Sequence, residues 1–344
     1  MIEGHTRDSW TRLADRDRDT YHWLNILSGF GAPIFLFLAG ISLSLAAGSR
    51  LRTGVPESDV GALAVRRGVT IFGLAFVFRL QSWIISGGRF PESLLKVDIL
   101  NVMGVSMVAA ALLWRLGWNP RSRAAIFVAA AVVLAMVTPL VRASSSLAGL
   151  PDSIESYVHP VSGRATFTLL PWSAFLIAGA AVGVWLDSAT DAGRERHVNL
   201  RLLAMGLVLG LGGYAASFLA PLYRDVDFWT TSPAFFFLRL GILLAAVPVA
   251  YGLNLAIRAP RLEEFGRGSL FVYWIHVEMA YGVLSLPLHR RLPLEQVLVA
   301  FVAFSLFLFL LVKVKARVVA PILATPGVGG WRGVTHTELR RKEG

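Results

Sequence analysis

The opening stretch MIEGHTRD puts an imidazole, His5, three residues ahead of a carboxylate, Asp8, in a polar segment that precedes a long apolar chain. A neutral imidazole near pH 7 can take the proton of an attacking hydroxyl or amine, and a neighbouring carboxylate can orient it. Three more ionisable groups stand inside or at the edges of apolar runs: Arg79 in FVFRLQSW, Asp98 in KVDILNVMG and Arg239 in AFFFLRLGI. Charge at membrane depth is costly, which makes each a functional candidate. Asp98 and Asn101 lie three apart, the spacing that puts both on one helix face. The reading without chemistry is an ion pair of Asp98 with Arg79 or Arg239, or arginines that extend to the headgroups.

A second histidine, His276 in GSLFVYWIHVEMAYG, shares a helical face with Ser269 and Tyr273, whereas Glu278 points roughly 200° away. At 1.5 Å per residue His276 lies about 10 Å from the start of that helix. It is either a core histidine satisfied by a neighbouring helix or a polar group on a substrate or proton path. His159 stands in a loop before GRATFTLLPW, within reach of a site on the same face of the membrane; His22, His197, His289 and His336 read as flanking or loop residues. No His, Asp or Glu spacing resembles a metal site, and the lack of cysteine removes disulfides and thiolate chemistry. There is no phosphate-binding loop, dinucleotide turn or nucleophile elbow. Whatever chemistry occurs uses imidazole, carboxylate and guanidinium groups.

The elements that must position these groups are set by composition. Of 344 residues, 55% are hydrophobic and 16% charged, more apolar surface than a soluble globule can bury. Runs of about 18 apolar residues predict nine spans, near 26–47, 67–86, 97–114, 123–141, 165–186, 202–220, 234–257, 269–287 and 296–314. Hydrocarbon offers no partner for a free backbone group and no alternating barrel pattern is present, so the fold class is an all-α polytopic transmembrane bundle. The net charge of +11 does not point to nucleic acid, because the basic residues are scattered through short loops and not gathered on one face.

Alternate loops, with Arg50, Arg52, Arg66, Arg67, Arg115, Arg121, Arg194, Arg258, Arg261 and Arg267 among their residues, together with the basic tail hold most of the 33 lysines and arginines on one side. The positive-inside bias therefore predicts a cytoplasmic C-terminus. Nine spans then put the polar N-terminus outside with no signal peptide to carry it, which leads to the expectation of one more helix upstream. The organisation expected is an external loop over 1–25, a membrane bundle over 26–314 and a cytoplasmic tail over 315–344. No internal repeat is visible.

The ordered strings GFGAPIFLFLAGISLSLAAGSR, LLKVDILNVMGVSMV, LLPWSAFLIAGAAVG and GRGSLFVYWIHVEMAYG resemble transmembrane acyltransferases over residues 1–287. The nearest likeness is to bacterial relatives of heparan-α-glucosaminide N-acetyltransferase, with the family-three acyltransferases more distant. In that group a first helix with a DxLRG-like motif leads to a histidine, and MIEGH looks like the end of it. The resemblance thus implies that His5 is the catalytic histidine and that the first helix is missing.

It further implies transfer of an acyl group, usually acetyl, from cytoplasmic acyl-CoA to a hydroxyl or amine of an extracytoplasmic glycan. The setting is a bacterial inner membrane, with no metal, no nucleic acid, and a homo-oligomer compatible with the sequence. Compatible with it, His5 with Asp8 is the base, Arg79 or Arg239, or the Asn101 amide, is an oxyanion donor, and Asp98 orients base or acceptor. Arg50 and Arg67 hold the CoA phosphates, while Pro171, Trp172, Tyr273 and His276 shape the substrate pocket. The competing classes are a transporter or flippase of an anionic or lipid-linked solute, with Arg79, Asp98 and Arg239 as gating charges and His276 as proton relay, and a non-catalytic membrane scaffold.

Overall fold

Apolar stretches must coil to leave no backbone group unpaired, and most of each apolar run is helical among the described residues. A computed structural model describes residues 1–86, 90–145, 149–257 and 260–324. The helices are α1 (Ile2–Trp10), α2 (Asp19–Ser28), α3 (Gly31–Arg52), α4 (Glu57–Ser86), α5 (Ile99–Leu116), α6 (Pro120–Ala143) and α7 (Asp152–Glu155). They continue with α8 (Trp172–Asp187), α9 (Ala192–Ala216), α10 (Pro233–Ala256), α11 (Pro260–Arg267), α12 (Ser269–Tyr281) and α13 (Leu294–Ala324). Among the described residues, seven helical stretches are long and apolar enough to cross a membrane: Asp19–Arg52, Glu57–Ser86, Ile99–Leu116, Pro120–Ala143, Ala192–Ala216, Pro233–Ala256 and Leu294–Val318. The fold is an all-α polytopic helical bundle.

Two of the nine expected spans are shorter than the sequence suggests. The run over 165–186 becomes helical only at Trp172. Before it, the Val97 N–H donates to the Arg164 carbonyl at 2.8 Å and the Thr166 N–H to the Val97 carbonyl at 2.9 Å, and this pairing draws residues around Ala165 out of any helix. The run over 269–287 stops at Tyr281, because Gly282 takes an extended conformation and Val283–Leu288 tightens into a 3-10 turn. The first 25 residues, expected as an extramembrane loop, hold α1 and most of α2.

The described residues form two compact units. One is drawn from residues 16–257, the other from 2–15 and 260–324. In the first, α3 packs closely on α8 and α9 on α10. Close approach needs missing side chains: a Cβ on Gly40 would land on the Leu176 carbonyl, and one on Gly179 on the Phe37 carbonyl. The α5 and α6 starts are closed by their own caps. Asp98 Oδ1 accepts the Leu100 N–H at 2.9 Å while the Asp98 N–H donates to Asn101 Oδ1 at 3.0 Å, and Asn119 and Ser122 form the same reciprocal arrangement.

In the second unit α1 packs against α12 and α13. Trp10 joins Val272, Val297, Phe304, Leu308 and Val312 in its core, and the Trp10 indole N–H donates to the Ala280 carbonyl at 3.1 Å. The chain beyond α1 pairs with the approach to α13, where the Leu292 N–H donates to the Trp10 carbonyl at 3.0 Å and the Arg12 N–H to the Leu292 carbonyl at 2.9 Å. Asp15 then accepts the Leu294 N–H at 2.9 Å and so caps α13.

Candidate active site

In the second unit the candidate chemistry gathers where α1 meets α12. Position 5 of a short helix faces position 276 of a longer one, and the two imidazoles meet edge to face with centroids 5.1 Å apart. Tyr281 flanks His5 with centroids at 5.4 Å, and Tyr273 flanks His276 at 5.7 Å. Trp10, one and a half turns beyond His5, anchors α1 in the core and so fixes the angle at which His5 is presented.

His276 Nδ1 lies 2.7 Å from the Val272 carbonyl one turn back. A carbonyl only accepts, so this nitrogen carries the proton and Nε2 keeps its lone pair. Nε2 of His276 and Nδ1 of His5 are both buried, and neither has a hydrogen-bond partner among the described residues. Burial pushes the His5 imidazole down to about 4, so the ring is neutral at physiological pH.

Asp8, expected to orient His5, is bonded to a residue beside that ring. Its Oδ2 accepts the Tyr281 hydroxyl at 2.8 Å, and no hydrogen bond joins Asp8 to His5 among the described residues. Asp8 thus fixes the tyrosine whose ring walls one side of His5. Of the expected face on α12, Tyr273 and His276 are buried whereas Ser269 is exposed. Tyr281 is the residue that reading the sequence missed, since five positions beyond His276 it reads as a helix end before glycine.

In the first unit the remaining candidates divide into paired and unpaired charges. Arg79 Nη2 lies 3.0 Å from Asp98 Oδ2, the ion pair anticipated for one of the two arginines. Asn101 is engaged by the cap of α5 and by Tyr157, whose hydroxyl accepts its amide at 3.3 Å. Asp98 and Asn101 are both buried. Together they close the start of α5, and Asp98 holds Arg79.

Arg239 is different. Its guanidinium stands 3.9 Å from the centroid of Phe235 and 5.8 Å from that of Phe30, Nε is buried without a hydrogen-bond partner, and no carboxylate pairs with it among the described residues. Trp172 meets Phe167 edge-on at 5.0 Å and Phe175 at 6.2 Å, directly after Pro171. Arg67 of α4 lies close enough to Arg50, at the end of α3, for their charges to repel.

The other histidines are accounted for locally. His159 sits 3.3 Å from Glu155 and 3.1 Å from the Val141 carbonyl, His289 Nε2 is 2.9 Å from the Ser285 hydroxyl, and His197 Nδ1 is 2.7 Å from the Gly193 carbonyl. His22 is exposed. Arg258, His336 and the expected tail from 325 onward lie outside the described residues.

Among known families, the model described as "Heparan-alpha-glucosaminide N-acetyltransferase, catalytic" matches residues 1–218. The match takes in α1 with His5 and ends before α10. No curated protein matches the chain.

Proposed function

The chain belongs to the heparan-alpha-glucosaminide N-acetyltransferase catalytic family, and from that premise we propose an acyl-CoA-dependent membrane acyltransferase whose general base is His5. The donor is acyl-CoA, in the first instance acetyl-CoA, reaching the protein from the cytoplasmic side of a bacterial inner membrane. The acceptor is a hydroxyl or amine of an extracytoplasmic carbohydrate. In the transfer the acceptor O–H or N–H gives its proton to His5, the acceptor atom bonds the acyl carbon, the carbon–sulfur bond breaks, and the proton goes on to the departing thiolate.

The observation that carries this reading is the state of His5. It is neutral, lodged between the rings of His276 and Tyr281, and presented by a helix that the family match includes. An imidazole with a free lone pair at neutral pH is what proton abstraction requires. Arg239, a cation backed by aromatic rings and free of any carboxylate among the described residues, suits an anionic or polarised group of a substrate. Arg50 and Arg67, mutually repelling, suit the phosphates of CoA. Trp172 and Pro171 suit the face of a sugar ring. Asp98, Arg79 and Asn101 act by holding the start of α5.

The test is acyl transfer in proteoliposomes supplied with acetyl-CoA and amino- or hydroxy-sugar acceptors, wild type beside His5→Ala. Loss of about a hundredfold or more in kcat with an unchanged melting profile is expected, the usual contribution of a positioned base. Transfer that survives His5→Ala removes the base. Solute counterflow without release of CoA would instead make the protein a carrier.

A further inference from the structure

The Val272 carbonyl bonds His276, the His276 ring meets that of His5 edge to face, and one buried nitrogen on each ring has no hydrogen-bond partner among the described residues. His276 is proton-donating at Nδ1 toward Val272, so its Nε2 can only accept. Nδ1 of His5 is buried beside it without a partner, and a neutral imidazole can carry its single proton there. One buried acceptor and one buried nitrogen free to donate, on rings in contact, cost the fold desolvation energy unless they meet. The terminal torsion of His5 is broad, so its ring can turn toward His276 while His276 stays held by the Val272 carbonyl.

Resting on the reading of His5 as the base, we propose that His276 is its positioning residue, accepting the His5 Nδ1–H at Nε2 so that the His5 Nε2 lone pair is the one presented to the acceptor. The Val272 carbonyl orders His276, and His276 orders His5. The arrangement does for His5 what a buried carboxylate does for the histidine of a hydrolytic triad, namely selecting the tautomer and steadying the imidazolium once the proton is taken. An uncharged second ring does this without placing an anion in a site enclosed by Tyr273 and Tyr281. The sequence leaves His276 as either a satisfied core histidine or a polar group on a substrate or proton path; the geometry points to an orienting role one step removed from substrate.

Two substitutions separate this from a packing role. In His276→Asn the amide can still donate to the Val272 carbonyl but nothing stands in for Nε2, whereas in His276→Gln an amide oxygen falls near the Nε2 position and can accept from His5. The expected result is a fall in kcat of roughly tenfold or more for Asn with KM for acetyl-CoA unchanged, the signature of a lost orienting partner. Gln should recover a large part of the loss, and a packing role would give no such recovery.

Ring nitrogen NMR of histidine-labelled wild-type protein supplies a measurement that does not depend on a variant folding. It should find His276 protonated at Nδ1 and His5 protonated at Nδ1. A His5 ring protonated only at Nε2, or Asn and Gln variants both at wild-type rate, overturns the assignment. Wild-type transfer that is lost in His5→Ala but intact in His276→Asn rejects His276 alone. Absence of transfer by the wild type, with the NMR tautomers as expected, rejects the acyltransferase reading and leaves the histidine pair in place.

Discussion

At the scale of single residues, the environment decides which ionisable groups do chemistry and which hold the fold. His5 and Asp98 look alike in the sequence, each a polar group at the margin of an apolar run. Asp98 is consumed by its surroundings, taking up a helix cap and an arginine, while the buried nitrogen of His5 is left unbonded. The depressed His5 basicity has a consequence in pH. With His5 as the proposed base, a ring that protonates only near 4 stays neutral as pH falls through 6.5, and the proposal expects activity to be lost only as pH approaches the lower value. The acid limb of kcat/KM for the transfer should therefore lie well below 6.5; a limb at or above 6.5 would show that the ring is solvated. Truncating Asp98 to Ala has the opposite character. It strands the Arg79 charge and removes the α5 cap, so a loss of about 3–5 kcal/mol is expected in detergent unfolding, whereas replacing both partners with apolar residues should cost less.

At the scale of elements, short helices carry more of the argument than long ones. α1 has nine residues and a polar composition, too little for independent helicity, and persists because Trp10 is sunk in the core made with α12 and α13. Trp10→Ala should remove about 3–5 kcal/mol and loosen the presentation of His5, so both melting temperature and transfer should fall. Normal stability with normal turnover would contradict that coupling. The interface of α3 with α8 rests on absent side chains, and Gly40→Val should drive the pair apart, giving a lower melting temperature and poor yield of folded protein in detergent. Equal stability would mean the two helices can shift without loss.

At the scale of the whole chain, the uneven distribution of basic residues between the two sides predicts an orientation, with the C-terminus on the cytoplasmic side. A reporter fused after residue 344 should be active only in the cytoplasm. A fusion active outside would reverse every side-dependent statement about donor and acceptor. The nine runs expected from hydropathy correspond to seven long apolar stretches together with the shorter α8 and α12.

Hydropathy and charge were enough to establish the helical class and the approximate spans, and they raised an ion pair of Asp98 with a membrane arginine as one of two readings, since desolvation acts on residue type and needs no knowledge of partners. Spacing also singled out His5, Tyr273 and His276. What only the packed structure decided is who meets whom: Arg79 and not Arg239 beside Asp98, Tyr281 and not His5 on Asp8, and His276 against His5 from 271 residues away. Contacts of that kind depend on helix rotation and tilt, which are set by side chains interlocking across elements, and no local pattern encodes them.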